Sequence, residues 1–315
     1  MTPPAAGPAV PPPAAGLATP TPPPPPALLA AWLGAEVAEL APAGAEPWPG
    51  AGCRTWRVTL ADARRFKLRR LRAVADGGVV STLLREFAAS GAAGAARFAG
   101  VVDQRGDLLL EEWIDGEPLP DPPPDALLAE AGDLLGRLHA HGRAPGARRA
   151  DLVPTAAHRA SIERQLGDLR AAGALSAATA GRLREAGRAW DPRETEAGVT
   201  HRDLCADNLL VGRDGHLVVI DNETMLTGPL DFDLARSDYR WPLAPEQRAC
   251  FLRAYAAHRD PCTEPAAARF WRLRALTLSA CFRLRQAGLA AAAVPLAALR
   301  QMDAERQAGE PAAGP

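Results

Sequence analysis

Apolar and polar residues alternate along the chain between residues 36 and 71, after a short apolar stretch, "ALLAAWLGA", that predicts a helix. The alternation predicts strands in "EVAELAPAG", "CRTWRVTL" and "RRFKLRRL". In the last of these strands, Lys67 falls on the face opposite Phe66 and Leu68. "GVVSTLLREFAASG" then has helical spacing, and "FAGVVDQRGDLLLEEWIDG" predicts a hairpin that turns at residues 103–106.

The pattern becomes helical after a proline-rich segment. "DALLAEAGDLLGRLHAHG", "TAAHRASIERQLGDLRAAG" and "SAATAGRLREAGRAW" are amphipathic at helical spacing. A pair of strands follows, and helix dominates again from Pro245 to Glu305. A small β-rich lobe followed by a larger, mainly helical lobe predicts a two-lobed α+β fold. The predicted divisions are a disordered proline- and alanine-rich tail at 1–26, an N-lobe at 27–114, a hinge at 115–124, a C-lobe at 125–305 and a flexible tail at 306–315.

Composition narrows the class of protein. The formal net charge of −1 gives no electrostatic support for a nucleic-acid or membrane-surface partner. The five cysteines are odd in number and lack C-x-x-C spacing, which argues against a disulfide framework or a zinc site and favours a cytoplasmic location. The N-terminal tail has no basic segment, so we do not expect a signal peptide. The most apolar late stretch, "AGLAAAAVPLAAL", is too short to cross a bilayer.

The segment "HRDLCADNLLVGRDGHLVVIDNE", at 201–223, contains both asparagines of the chain. If Asp214 and Gly215 form a two-residue hairpin loop, Asn208 lies directly opposite Asp221 and both side chains point to one face. An amide oxygen and a carboxylate at one place suit Mg²⁺, which leaves other positions to water and phosphate. A register shift of one residue would place the two side chains on opposite faces.

Asp203 lies in the loop before this hairpin, five residues before Asn208. A carboxylate at that position can orient an attacking hydroxyl group and accept its proton beside the metal. We group His201 with Asp203 as a catalytic-loop residue, and its expected role is to brace the loop by hydrogen bonds.

The order His-x-Asp-x-x-x-x-Asn, followed by an aspartate thirteen residues later, resembles the catalytic and metal-binding segments of protein-kinase-like enzymes. "LLGRLHAHG", "LLLEEWIDGEPL" and "IDNETMLTGPLDFDLAR" are similar to segments of the aminoglycoside phosphotransferase/choline kinase family, and the similarity runs from about residue 36 to 240. The resemblance implies a protein-kinase-like fold, with a small antiparallel sheet in the N-lobe and a larger helical C-lobe. It implies transfer of the terminal phosphoryl group of ATP or GTP, with Mg²⁺, to a hydroxyl group of a small molecule. By this resemblance Asp203 is the catalytic base, and Asn208 and Asp221 hold the magnesium ion.

The resemblance also implies nucleotide-binding residues in the N-lobe. Lys67, the only lysine in the chain, matches the strand lysine that binds the nucleotide phosphates, and Glu86 matches the helix glutamate that pairs with it. Arginine presents a planar fork and does not freely replace a lysine that acts as a point charge on phosphate. Glu112 and Trp113 begin the hinge that presents backbone groups to the base of the nucleotide.

The chain departs from the family pattern in several places. Arg202 stands where most small-molecule members have glycine, and Asn222 stands where an aromatic residue is usual. The segment "PWPGAGC", at 47–53, contains glycines but is not G-x-G-x-x-G, which leaves the nucleotide contacts there open. No A-P-E-like or activation-loop segment follows Asp221, which argues against a protein kinase proper.

Three functional classes stay open: an active small-molecule kinase, a nucleotide-binding regulatory protein without turnover, and a sugar, lipopolysaccharide or protein kinase. From Arg236 onward there are twelve arginines against seven acidic residues, which counts against a polycationic aminoglycoside as acceptor. Several arginines of this region either are solvated or contact an anionic or sugar acceptor. They are Arg269, Arg272, Arg274, Arg283 and Arg285.

Other polar residues near these segments have expected structural roles. Asp233 is expected to hydrogen-bond the backbone of the catalytic loop. His139 and His141 are expected to pack or to cap, and Cys205 is expected to be a small packed side chain.

Overall fold

The computed structural model describes residues 22–43, 55–71, 74–90, 94–141, 152–261 and 264–309. These residues form an α+β structure in which a five-stranded sheet precedes a mainly helical part, as the sequence predicts. The segments at 1–21 and 47–53, for which a disordered tail and a phosphate-covering loop were expected, lie outside the described residues.

The N-lobe is built on an antiparallel sheet whose second strand shows the predicted alternation. In sheet order, the strands are β1 (Val37–Pro42), β2 (Thr55–Leu60), β3 (Arg65–Arg70), β6 (Leu108–Glu112) and β5 (Val101–Arg105). Two helices accompany them, α1 (Pro26–Leu33) and α2 (Val74–Ala89). Trp56, Val58 and Leu60 of β2 are buried and pack with Leu29 and Trp32 of α1, while the intervening residues of β2 are partly exposed. The buried face of β2 is therefore the face that packs against α1.

Two smaller sheets flank the predicted catalytic segment, and the first of them joins strands of both lobes. One contains, in sheet order, β4 (Arg97–Phe98), β11 (Leu217–Val219), β10 (Leu209–Gly212) and β7 (Gly116–Pro118). The other contains β12 (Leu226–Pro229), β9 (Glu194–Thr200) and β8 (Leu152–Pro154). The expected hinge at 115–124 is thus not wholly irregular, because β7 pairs with β10 of the C-lobe.

The C-lobe contains the three predicted amphipathic helices and a further helical group after the hairpin. The helices are α3 (Asp125–Ala140), α4 (Ala156–Ala171), α5 (Ala177–Ala189), α6 (Leu230–Arg240), α7 (Pro245–Ala256), α8 (Pro265–Ala291) and α9 (Ala293–Gly309). The flexible tail expected from residue 306 begins inside α9, since this helix continues to Gly309. Within the described part of the chain, no helix is long and apolar enough to cross a membrane.

Helices α3 and α7 approach each other closely because α3 has glycine at the contact. A Cβ atom on Gly132 would lie 2.1 Å from the carbonyl oxygen of Phe251, and one on Gly136 would lie 2.8 Å from that of Tyr255. The close approach also brings the C-terminal end of α3, with His139, beside Tyr255, where the two rings lie 5.6 Å apart. This end of α3 supports the catalytic segment from behind.

Candidate active site

The hairpin after Asn208 forms as predicted, but its register is shifted by one residue. Val211 pairs with Leu217, and the amide of Gly212 donates to the carbonyl of His216 at 2.8 Å, so the loop has three residues rather than two. Gly215 closes it with a φ of 82°. This is the three-residue loop in which a left-handed glycine forms a bulge. The predicted opposition of Asn208 and Asp221 is therefore wrong.

Asn208 and Asp221 nevertheless stand at the same end of this hairpin. The carbonyl oxygen of Asn208 accepts from the amide of Ile220 at 2.9 Å, so Ile220 is the residue opposite Asn208. Asn208 ends a 3-10 turn at Ala206–Asn208, and Asp221 has a left-handed backbone with φ 62°. Because both residues lie outside the regular ladder, the strand rule for side-chain faces does not apply to them.

His201 is buried behind the loop that carries Asp203, and its hydrogen bonds brace that loop. His201 is fully buried and stacks on Phe98 with ring centroids 5.8 Å apart. Its Nε2 lies 3.1 Å from Oδ1 of Asn222, and its Nδ1 accepts from the amide of Asp203 at 3.2 Å. Both ring nitrogens are thus engaged inside the protein. These contacts match the bracing role expected for His201, so it is grouped with Asp203 only as a residue of the same loop.

Asp233 holds the backbone of the same loop, as predicted. Its carboxylate accepts from the amides of His201 at 2.7 Å and of Arg202 at 2.6 Å. It also lies 3.0 Å from Nε2 of His139, whose Nδ1 is 2.8 Å from the hydroxyl of Tyr255. Burial opposes ionisation of Asp233, but these hydrogen bonds outweigh it and hold the pKa of the carboxyl below its ordinary value. The loop is therefore anchored to α3 and α6 by one buried carboxylate.

Asp203, the predicted catalytic base, is partly exposed and is held on one side by two arginines. Its Oδ1 lies 3.0 Å from Nη2 of Arg236 and 3.6 Å from Nη1 of Arg240. Its Oδ2 lies 3.3 Å from Nδ2 of Asn208, and the same amide nitrogen donates to the backbone carbonyl of Asp203 at 2.8 Å. The 3-10 turn between the two residues makes this local contact possible.

The predicted metal ligands offer two unengaged oxygen atoms. The amide nitrogen of Asn208 donates to Asp203, so its Oδ1 faces no donor among the described residues. Oδ1 of Asp221 binds the side chains of Lys67 and Arg69, while Oδ2 has no partner in that same part of the chain. A neutral amide oxygen and a carboxylate oxygen are the hard donors that suit Mg²⁺. No cluster of three or more His, Cys, Asp or Glu that could hold a metal occurs among the described residues, so these two oxygens alone would leave most positions to water and phosphate.

Lys67 reaches the site from the N-lobe and forms an ion pair with Asp221. Its second partner is Glu111, at 3.5 Å, which lies directly opposite on β6. Glu86 is exposed on α2 and has no ion pair with Lys67 in the described structure, so the expected Lys67–Glu86 pair is not formed. Burial raises the pKa of Glu111, and the positive charges of Lys67 and Arg69 oppose that rise.

Arg69 is a second cation at this place that the sequence reasoning missed. It lies two residues after Lys67 on the same face of β3, and its Nη2 is 2.5 Å from Oδ1 of Asp221. Its Nη1 pairs with Oε1 of Glu223. Burial opposes ionisation of Asp221, but Arg69 and Lys67 outweigh it and hold the pKa of this carboxyl well below its usual range. The two-residue period of a strand places Arg69 on the same face as Lys67, so the sequence carries the signal for this second cation.

Glu112 and Trp113, at the start of the predicted hinge, differ in their contacts. The amide of Glu112 donates to the carbonyl of Gly100 at 2.9 Å and its carboxylate pairs with Arg97, so this residue is already engaged. Trp113 follows the end of β6, and its indole nitrogen donates to Asp115 at 3.2 Å. Backbone groups for a nucleotide base would therefore come from the irregular stretch at 113–115 rather than from the amide of Glu112.

Comparisons with known proteins bear on the family and the fold of the chain. The sequence model of the phosphotransferase enzyme family (APH) matches residues 43–271, and no curated protein sequence matches the chain. Among solved structures, macrolide 2'-phosphotransferase MphH from Brachybacterium faecium is 18% identical with a TM-score of 0.55, over 90% of this chain and 96% of that one. Choline kinase LicA from Streptococcus pneumoniae is 12% identical with a TM-score of 0.64, over 88% and 97%. LicA in complex with AMP is 13% identical with a TM-score of 0.60, over 86% and 96%. At these identities the structures support the fold alone.

Proposed function

The chain belongs to the phosphotransferase enzyme family, and we propose that it is a small-molecule kinase that transfers the terminal phosphoryl group of ATP, or of GTP, to a hydroxyl group. The observation that carries the proposal is the ion pair between Lys67 of the N-lobe and Asp221, which follows the hairpin of the C-lobe. This pair brings a cation for phosphate to the same end of the hairpin as Asn208 and Asp203. The AMP bound to the related fold of LicA supports an adenine nucleotide as co-substrate.

In the proposed reaction, residues of the two lobes hold the nucleotide phosphates. Lys67, oriented by Glu111, and Arg69, oriented by Glu223, place positive charge where the phosphates lie. Asn208 and Asp221 would hold Mg²⁺, which when bound neutralises charge on the phosphoryl group during transfer. Catalysis of this kind depends mostly on positioning and electrostatics, and a buried, braced loop suits that requirement.

Asp203 acts on the acceptor in this proposal. Arg236 and Arg240 fix its Oδ1, so Oδ2 is the oxygen that orients the attacking hydroxyl group and takes its proton. His201 and Asp233 keep the loop in place from behind. The acceptor is therefore expected to approach from the C-lobe side of Asp203.

The test is nucleotide consumption with Mg²⁺ across amino alcohols, sugars, hydroxy acids and aminoglycosides, with product detected by transfer of labelled phosphate. Asp203→Asn is expected to lower kcat on the best acceptor by about 10²–10⁴-fold. Asp207→Asn is the matched control, because Asp207 lies four residues later in the same segment but its carboxylate is 85% exposed. Equal activity of Asp203→Asn and wild type would show that the assigned base is wrong. Mg²⁺-dependent ATP binding without product on any acceptor would favour a regulatory nucleotide-binding protein instead.

A further inference from the structure

Two guanidinium groups beside the catalytic loop lack a carboxylate partner. The Cζ atoms of Arg202 and Arg274 lie 5.7 Å and 5.5 Å from the ring centroid of Phe232 on α6. Among the described residues, neither guanidinium has an acidic oxygen within 4.0 Å. Other arginines of the C-lobe do pair with an acid, as Arg259 does with Asp231 at 3.0 Å. The aromatic ring offsets only part of the charge.

Arg274 is the more deeply placed of the two. Its exposed fraction is 9%, its Nη1 donates to the neutral Oε1 of Gln165 at 3.2 Å, and its Nε is buried without a hydrogen-bond partner. An unpaired buried donor on a charged group is costly, so such a group normally serves a ligand or a partner. Burial lowers the pKa of Arg274 to about 10, and the positive charges of Arg202, Arg164 and Arg236 lower it in the same direction.

Arg202 is held in a strained backbone conformation that directs it to this place. Its φ is 68°, in the left-handed region that favours glycine. Its amide is fixed by Asp233 and its carbonyl by Arg236, so the loop cannot relax this angle. Among the described residues, the acidic group that acts on the Arg202 guanidinium is Asp233, whose oxygens already bind His139 and two backbone amides. The guanidinium of Arg202 is therefore available to bind a ligand.

The cationic pair is connected to the predicted base through one further arginine. Arg236 links Arg202 to Asp203. Its Nε donates to the carbonyl of Arg202, and its Nη2 donates to Oδ1 of Asp203. Arg202 is only half-buried, and Arg164 on α4 is exposed. Arg269, Arg272 and Arg285 of the same arginine-rich region are exposed and belong to the solvated surface, which separates them from Arg274.

We propose that Arg202 and Arg274, stacked on Phe232, bind an oxyanion of the acceptor, a carboxylate or a phosphate group, while a hydroxyl group of the same molecule reaches Asp203. The inference rests on the proposed kinase function and names its acceptor class as small hydroxylated anions. Guanidinium forks suit both oxyanions, since each presents two oxygens to parallel N–H donors. A polycationic or quaternary-ammonium acceptor would meet positive charge here and bind poorly.

The kinetic test uses acceptors that share a scaffold and differ in charge. Glucuronate, glucose, glucosamine and glucose 6-phosphate form one set, and glycerate, glycerol and glycerol 3-phosphate form another. The wild type is expected to have a kcat/KM at least about tenfold higher for an anionic member than for its neutral counterpart. The carboxylate and phosphate members show which oxyanion is used. A neutral or cationic member as the best substrate in both sets would overturn the inference.

The variants Arg274→Gln and Arg202→Gly test the subsite itself. Each is expected to raise KM for the anionic acceptor by roughly tenfold or more, with little change in kcat or in the KM for ATP. Glycine suits the backbone at residue 202, and residue 274 loses an unpaired buried charge, so neither variant is expected to lower the melting temperature. Arg272→Gln is the matched control on α8, two residues from Arg274 and exposed, and it should change neither constant. Unchanged KM values in both subsite variants would refute the proposal.

A binding measurement separates this inference from the proposed function. Calorimetric titration with malonate and with inorganic phosphate is expected to show binding to wild type and to Arg272→Gln, and at least about tenfold weaker binding to Arg274→Gln. If no acceptor is phosphorylated but this loss is seen, the kinase function falls and the anion subsite stands. If acceptors are phosphorylated and both anions bind Arg274→Gln as well as wild type, the subsite falls and the kinase function stands.

Discussion

Arg236 binds both the carboxylate of Asp203 and the loop that carries it: Nη2 lies 3.0 Å from Oδ1 of Asp203, and Nε donates to the carbonyl of the preceding residue. Asp203 is thus fixed through its side chain and its backbone by one guanidinium. A carboxylate held by one oxygen presents the other in a defined direction, and direction is what a general base in a positioning enzyme needs.

We expect Arg236→Met to lower kcat by about 10–100-fold, because a charged hydrogen bond that orients the base is lost. The KM for ATP should stay unchanged, since the contacts of Arg236 are to Arg202 and Asp203 and not to the acids that hold Lys67 and Arg69. Arg236→Lys should recover part of kcat, which a mere loss of stability would not allow. Arg248→Met is the control, because Arg248 pairs with Asp238 on the exposed surface. Steady-state kinetics of the four proteins decide the matter, and an unchanged kcat in Arg236→Met would contradict the positioning role.

Much of the fold follows from local rules in the sequence. The strands of the N-lobe and the amphipathic helices were predicted because burial on one face imposes a period of two or of about 3.6 residues. The hairpin was also predicted, but not its register. Asp214-Gly215 is compatible with a two-residue loop and with a three-residue loop closed by a left-handed glycine. The choice between the two depends on how β10 also pairs with β7, a contact more than ninety residues distant in sequence.

The partners of the site residues were less predictable than the residues themselves. Lys67 contacts Asp221, and Asn208 contacts Asp203, and the grouping of these four residues as a catalytic site stays a prediction. The choice of Glu111 over Glu86 as the partner of Lys67 depends on the pairing of β3 with β6. Such pairings are set by tertiary packing, and no local pattern in one sequence reports them.

The partner of Lys67 can be identified by paired substitutions. We expect Glu111→Gln to raise the KM for ATP several-fold, because a buried opposing charge that orients Lys67 is removed. Glu86→Gln should leave the KM within about twofold of wild type, since Glu86 is exposed and unpaired with Lys67. Lys67→Met removes the cation itself and is expected to raise the KM for ATP by at least about tenfold. A larger effect from Glu86→Gln than from Glu111→Gln would restore the pairing implied by the family resemblance.

Stability is expected to fall as the pH drops below about 6.5, through His139 and Asp233. Burial lowers the pKa of His139, so the unfolded chain takes up a proton that the folded protein excludes. The pKa of Asp233 is also lowered, so further stability is lost as the pH falls below the ordinary carboxyl value and through the folded one. Urea unfolding midpoints between pH 2 and pH 8 measure both effects, and the slope from one histidine is at most about 1.4 kcal/mol per pH unit.

His139→Gln should be less stable than wild type at pH 7 but should lose less stability between pH 7 and pH 5. His216→Gln provides a control of opposite sign. The hydrogen bond to Glu130 raises the pKa of His216, so this histidine stabilises the fold at acid pH, and its contribution is lost as the pH rises through the folded value. An identical pH dependence in His139→Gln and wild type would exclude His139 as the source.

The contact between α3 and α7 supplies the sharpest stability prediction, because it depends on the absence of one methyl group. A Cβ atom on Gly132 would lie 2.1 Å from a backbone oxygen of α7, and backbone cannot move aside as a side chain can. We expect Gly132→Ala to lower the free energy of unfolding by roughly 3 kcal/mol. Gly181→Ala, on a helix with open space around the new atom, should raise it by about 0.5–1 kcal/mol. Since α3 also carries His139, which holds Asp233 behind the catalytic loop, Gly132→Ala should reduce kcat even where the protein is fully folded. Chemical denaturation together with kinetics at low denaturant tests both parts, and a Gly132→Ala protein as stable as Gly181→Ala would mean that the two helices are not packed this closely.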